Sequence, residues 1–200
     1  MVKDINLFLG RFQPFTKGHE RVLQALYKEN GYPTVVACIA NVKYDTKHPF
    51  DDSLISKEFN ICLKGKDYFE DYIYVRSAAI NKVGEELVKN GYRAHLWGCG
   101  SDRASTFEKM ASNTNYTIDF PDDFKVFVVD RDDASNGIDG ISATKVREAI
   151  KNDDIDSFKK MMPDNAEKLF GNFKKQLIHR IHNVKESLMS LTEYLRESLK

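Results

Sequence analysis

The sequence predicts an α/β chain built on a doubly wound parallel sheet, followed by a helical extension at its C-terminal end. Three observations carry that reading. Short β-branched or apolar runs recur and end at glycine or a polar loop. Stretches with apolar residues at helical spacing separate them. Beyond Ser142 no further strand pattern occurs, and the chain reads as helix. Strands alternating with helices require crossover connections and hence parallel pairing.

The first apolar run, 5–9, is stopped by Gly10, and its shortness marks a buried strand. After a loop containing Pro14, residues 18–28 place Val22, Leu23 and Leu26 on one helical face. Residues 34–40 (TVVACIA) form a second buried strand, completing a strand–helix–strand unit with a right-handed crossover. A polar loop, 41–52, leads to a helix over 54–63, a short strand at 73–75 and a helix over 78–90 closed by Gly91. A strand at 94–97 ends at Gly98 and Gly100, a helix follows over 104–111, and 125–129 (KVFVV) is the last strand. From Ser142 the spacing predicts a short helix, a break at Pro163 and one long helix over 164–199. Two parts are therefore expected, a sheet domain over 1–162 and the extension over 163–200.

Composition narrows the function classes. Hydrophobic residues make up 42% of the 200, enough for a proper core, and 30 basic residues offset 30 acidic ones. No global field draws this chain to nucleic acid or to a membrane, so neither is expected as a partner. Cys38, Cys62 and Cys99 are odd in number and widely spaced, which fits reduced, buried thiols better than disulfides or a zinc site. The chain opens without a signal-peptide layout and no apolar run approaches ~20 residues, so a cytoplasmic protein is expected.

Ligands of open parallel sheets bind beyond the carboxyl ends of the strands. The first loop there, 10–19, reads GRFQPFTKGH. Gly10 permits a tight turn, Gly18 lets an anion approach backbone amides, and the following helix offers its positive end. His19 starts that helix, and Arg11 and Lys17 add positive charge. A second helix start, 141–147 (ISATKVR), offers Ser142 as N-cap with Thr144 and Arg147 within two turns, again suited to phosphate. On the last helix, His179, His182 and Glu186 read as a solvated face, and no metal site is assigned.

GRFQPFTKGH closely resembles the signature of the HxGH nucleotidyltransferase superfamily, particularly archaeal-type nicotinamide-mononucleotide adenylyltransferases, with Thr16 standing at the first histidine. Pantetheine-phosphate adenylyltransferases also carry threonine there. ISATKVR resembles the ISSTxxR motif of the same superfamily, and the resemblance spans about residues 5–150. It implies a Rossmann-like fold and transfer of AMP from ATP, with its Mg²⁺, to a small phosphorylated acceptor. Nicotinamide mononucleotide is the first choice, giving NAD. His19, Arg11 and Thr16 would then serve the transfer. Gly10, Phe12, Gln13 and Gly18 would border the nucleotide, as would Ser142, Thr144 and Arg147. Gly98, Gly100 and Asp102 resemble the family's G-x-D segment beside the ribose and base, while Trp97 reads as core. Lys43, with Lys47 second, would meet the acceptor phosphate from a loop ending in His48, Pro49 and Phe50. Relatives often carry a Glu-Arg pair on the next helix, where this chain has Leu54 and Ile55. The alternatives are a pantetheine-phosphate adenylyltransferase, a CTP-dependent cytidylyltransferase, or a non-catalytic nucleotide-binding assembly protein.

Leu177, Ile181, Val184, Leu188, Leu191 and Leu195 alternate spacings of four and three. This is either a heptad seam joining a homo-oligomer or the core face of a helix folded back on the domain.

Overall fold

The computed structural model describes residues 2–41, 43–112, 120–129 and 140–198. Five strands, β1 (Lys3–Gly10), β2 (Thr34–Ile39), β3 (Phe69–Val75), β4 (Tyr92–Gly100) and β5 (Lys125–Val129), form one sheet in the order β3-β2-β1-β4-β5. All four pairings are parallel. The helices α1 (Lys17–Asn30), α2 (Asp52–Cys62), α3 (Ile80–Lys89) and α4 (Ala104–Ala111) connect consecutive strands.

Alternation along each strand divides the core in two. Phe8, Val36, Cys38 and Leu96 face α1 and α2, whereas Ile5, Leu7, Val35, Ala37 and Trp97 face α3 and α4. The chain winds outward from β1 to β3, then returns past β1 to lay down β4 and β5. With right-handed crossovers, that reversal puts α3 and α4 on the opposite face from α1 and α2. The reversal lies between β1 and β4, whose carboxyl ends carry Gly10 and Gly100. The expected doubly wound sheet is thus observed.

The sheet-forming elements differ from expectation mostly at their ends. β3 begins at Phe69 rather than residue 73, because Tyr72 and Tyr74 lean their rings on the α1–α2 side of an edge strand. The helical end needs a larger correction. The single short helix expected before Pro163 is two helices, α5 (Ala143–Lys151) and α6 (Ile155–Met161). Asp153 breaks them apart with φ 59°, and Asp154 starts the second by accepting the Ser157 N–H at 2.9 Å. The long helix, α7 (Phe170–Ser198), starts only after a 3-10 turn over Ala166–Leu169, which Asn165 enters with φ 71°.

α7 does not stand apart from the sheet. Phe170, Phe173 and Leu177 lie in the same core as Phe8 and Val36, together with Phe158 of α6 and Val146 and Ile150 of α5. The heptad pattern therefore splits. Leu177 and Ile181 pack on the chain's own domain and Val184 is exposed, while the side chains of Leu188, Leu191 and Leu195 lie outside the described residues. All three cysteines are buried, and none is in a disulfide. Among the described residues no helix is long and apolar enough to cross a membrane.

Candidate active site

Two loop–helix junctions meet at the carboxyl edge of the sheet where its winding reverses. The first follows β1. Phe12 takes φ 47°, a conformation that costs a bulky residue about 1–3 kcal/mol and persists only where packing enforces it. Here its ring wedges among Phe8, Phe15 and Phe59, with centroids 5.3, 5.5 and 5.9 Å away. The same ring explains Gly10, since a Cβ there would meet Phe12 at 2.7 Å. The Gln13–Pro14 peptide is cis.

Thr16 is the N-cap of α1 and His19 its third residue. The Thr16 N–H donates to His19 Nδ1 at 3.0 Å, and Thr16 Oγ1 lies 3.1 Å from the same nitrogen. An Nδ1 that accepts leaves the ring proton on Nε2. Phe12 and Phe15 hold the ring with centroids 5.3 and 5.4 Å away. His19 is therefore fixed in orientation and tautomer, and buried Thr16 is the residue that fixes it. Arg11 has an exposed side chain, and its carbonyl accepts from Cys38 Sγ at 3.8 Å. Lys17 instead donates to the Lys159 carbonyl at 3.2 Å, at the end of α6.

The second junction opens α5. Ser142 caps it, accepting the Lys145 N–H at 3.2 Å. Arg147 donates through Nη1 to the Gln13 carbonyl at 2.6 Å and through Nη2 to Thr144 Oγ1 at 3.1 Å. Gly18 lies next to this junction, where a Cβ on it would be in ordinary contact with Ile141 at 3.9 Å. The two motifs, more than a hundred residues apart in sequence, thus adjoin, and the starts of α1 and α5 come together. Burial pulls the Arg147 guanidinium below its ordinary value, and Asp45 and Glu148 offset only part of that cost. An arriving anion would relieve it.

The loop between β2 and α2 forms the next wall. Buried Gln13 pins it, with Nε2 donating to the Phe50 carbonyl at 3.0 Å and Oε1 accepting the Phe50 N–H at 2.9 Å. Asn41 adds a second bond to that carbonyl at 3.1 Å. Gln13 therefore spends its side chain on the framework, and only its carbonyl meets Arg147. Lys43 and Lys47 are exposed on this loop, and Asp45 Oδ1 accepts the N–H groups of Lys47 and His48 at 2.8 and 2.7 Å. Leu54 and Ile55 are core residues.

At the end of β4, Gly98 answers to packing. A Cβ there would meet Leu26 and Val22 of α1 at 2.6 and 2.8 Å. Trp97 is fully buried and stacks on Phe107 at 4.2 Å, as expected of a core residue. Gly100 is buried and precedes the 3-10 turn Ser101–Arg103. That turn contains Asp102, whose side chain lies outside the described residues. His179 and His182 are exposed, and His182 pairs with Glu186 at 3.5 Å.

Sequence reasoning missed Glu58. It is fully buried beneath the first loop, and its Oε2 accepts the Phe15 N–H at 3.1 Å. Burial raises its carboxyl well above the ordinary value, only partly opposed by that bond. A signal was available: Glu58 occupies a core position in the helical stripe Leu54, Ile55, Phe59, Cys62. Gln176 and Arg180, which touch the 43–51 loop from α7, carried no such signal.

Residues 109–196, less than half of the chain, match the family described as the cytidyltransferase-related C-terminal region. No curated protein matches the sequence. Solved structures do resemble this one. Nicotinic acid mononucleotide adenylyltransferase of Plasmodium falciparum, complexed with APC and again with NaAD, superposes with a TM-score of 0.59 at 17% identity. The match covers 87% of this chain and 98% of that one. A bifunctional NMN adenylyltransferase/ADP ribose pyrophosphatase from Francisella tularensis, complexed with AMP and a manganese ion, gives 0.62 at 17% identity. There the match covers 98% of this chain and 56% of the longer one. On the parallel sheet, its reversal between β1 and β4, and these likenesses, the chain has a Rossmann-like nucleotidyltransferase fold with a helical C-terminal region.

Proposed function

We propose that this chain is a nucleotidyltransferase that transfers AMP from Mg·ATP to a small phosphorylated acceptor, with nicotinamide or nicotinate mononucleotide as first choice. The observation that carries the reading is the bond from Arg147 to the Gln13 carbonyl, which sets two phosphate-type helix starts and an oriented His19 side by side. An acceptor phosphate oxygen attacks the α-phosphorus in line, the bond to the bridging oxygen breaks, and pyrophosphate departs with that electron pair. The protein has to align two mutually repelling anions and neutralise the charge gathering on the transferred group. His19 Nε2–H meets the α-phosphate, with Arg11 at the rim of the same loop. Ser142, Thr144 and Arg147 hold the departing pyrophosphate, and Lys43 meets the acceptor phosphate. The divalent ion enters as part of the nucleotide substrate; among the described residues no three His, Cys, Asp or Glu side chains cluster to hold one. The neighbours complexed with AMP, APC or NaAD support a nucleotide substrate of this kind.

A CTP-dependent transferase is the second reading, favoured by the match of residues 109–196 to a cytidyltransferase-related region. One experiment separates the two. Pyrophosphate release is followed with ATP or CTP against nicotinamide mononucleotide, nicotinate mononucleotide, phosphopantetheine and phosphocholine. Turnover with ATP and a pyridine mononucleotide supports the first reading; turnover only with CTP replaces it; no turnover with any pair sinks both. In the active pair, His19→Ala should lower kcat by roughly a hundredfold, as loss of one transition-state donor does, while the nucleotide Kd changes far less.

A further inference from the structure

The first half of α7 reaches the loop that the proposed function assigns to the acceptor. Gln176 grips Asp51 at two points: its Oε1 accepts the Asp51 N–H at 2.9 Å, and its Nε2 donates to Asp51 Oδ2 at 2.7 Å. One turn on, Arg180 lies over the Tyr44 ring at 4.9 Å and directs Nε toward the Pro49 carbonyl at 3.5 Å. Between these contacts Phe50 packs edge-on against Phe173 at 4.7 Å. The loop is therefore held from α7 at Tyr44, Pro49, Phe50 and Asp51.

The carboxylates in this stretch are engaged. Asp51 Oδ1 accepts the Leu54 N–H at 2.8 Å, Oδ2 takes Gln176, and Asp45 Oδ1 takes two loop amides. The cations that the loop exposes are Lys43 and Lys47, and the Arg180 guanidinium lies against Tyr44, the residue that follows Lys43. Cations on a loop fixed in advance recognise a phosphate monoester at a smaller ordering cost than cations on a loose one.

We propose that Gln176 and Arg180 are positioning residues for the acceptor, so that recognition of its phosphate depends on the C-terminal helix. The proposal rests on the transferase reading above. It gives the first half of α7 a role in substrate selection, separate from any pairing of its far end. Neither Gln176 nor Arg180 takes part in the bonds that pin Phe50 to Gln13 from beneath, so that anchor on the nucleotide side stays in place when either is removed.

Steady-state kinetics of the full chain test this. Gln176→Ala and Arg180→Ala should each raise the acceptor KM on the order of tenfold, with kcat and the ATP KM within about twofold, as loss of a few loop contacts implies. Arg180→Lys, which keeps a cation for the Tyr44 ring, should recover part of the loss. An unchanged acceptor KM overturns the proposal. So does a parallel fall in kcat and ATP affinity, which marks a general loss of structure that thermal unfolding of each variant would register. If wild type releases pyrophosphate with no acceptor, the transferase reading has failed instead. Amide exchange then judges the clamp by itself: faster exchange at Asp51 in Gln176→Ala upholds it, and unchanged exchange removes it.

Discussion

His19 owes its usefulness to Thr16. A histidine in the first turn of a helix samples several rotamers unless something selects one, and here a backbone N–H fixes Nδ1 while phenylalanine rings fix the plane. Arg147 is fixed in the same manner by Gln13 and Thr144, which use two of the five N–H groups of a guanidinium. On the proposed chemistry it touches phosphates present in ATP and in pyrophosphate but absent from the dinucleotide product. Arg147→Ala should therefore weaken ATP and pyrophosphate binding by about tenfold or more, the worth of a charge-assisted contact, and leave product affinity nearly unchanged. Calorimetry with the three ligands decides it, and equal weakening of all three would place Arg147 elsewhere. A pH dependence of stability is expected from a different residue. At the opposite, amino-terminal edge of the sheet, His95 bonds Asp4 at 2.7 Å and Asp123 at 2.9 Å, while Arg93 also bonds Asp4 at 2.7 Å. Burial opposes charge on the ring, but the two carboxylates outweigh it and raise His95 above its ordinary 6.5. Hydrogen bonds from Arg93 and then His95 hold Asp4 down at about 2. A raised histidine gives its full stabilisation below 6.5 and loses it as pH climbs through the raised value; the depressed Asp4 gives its share above 3.8 and loses it as pH falls toward 2. The cluster is thus most stabilising between those two ordinary values. His95→Gln should lower the unfolding temperature at about pH 5.5 and have a smaller effect at about pH 8.5. An equal drop at both pH values would show that the charge contributes nothing.

At the scale of elements, packing supplies a reason for Gly98 besides the one the resemblance implies. The resemblance sets it beside the nucleotide, and Val22 and Leu26 press on it from α1. Gly98→Ala would force α1 away from β4 at a cost of about 1–3 kcal/mol, and α1 carries His19. Unfolding temperature and kcat should fall together in that variant; a stable but inactive protein would return Gly98 to the nucleotide pocket. The sheet elements were legible because run length, β-branching and helical spacing are local signals. Runs such as TVVACI and KVFVV are short and β-branched, which favours a strand, and Val22, Leu23 and Leu26 share one helical face. The helical end was less legible because its break at 152–154 depends on a left-handed Asp153 and a capping Asp154, which leave no trace in an apolar period. Glu58 was hidden for the converse reason. Its place in the stripe pointed inward while its polar type suggests surface, and the fold shows that the place in the stripe prevailed.

For the whole molecule, the seam of α7 leads in two directions. Removing residues from Gln176 onward would cut Leu177 out of the core and release Asp51, so such a truncation tests folding rather than assembly. A cut after His182 spares both. The exposed Val184 and the seam positions Leu188, Leu191 and Leu195 lie beyond it, and burying that stripe against a second copy would account for the heptad spacing. Light scattering should then show a smaller assembly for the chain ending at His182 than for the full chain, with transferase activity kept. Equal masses would end the case for pairing through this segment. By itself the sequence determined the parallel α/β architecture and the helix starts near His19 and at Ser142, because run length, helical spacing and capping residues are local properties. Only the tertiary structure decided that these starts adjoin through Arg147 and Gln13, that Gly98 answers to α1, and that α7 holds the loop of Lys43. Those are contacts between residues 72 to 134 apart in the chain, counted from Gly98–Leu26 to Gln13–Arg147, and no local pattern records which distant surfaces burial will bring together.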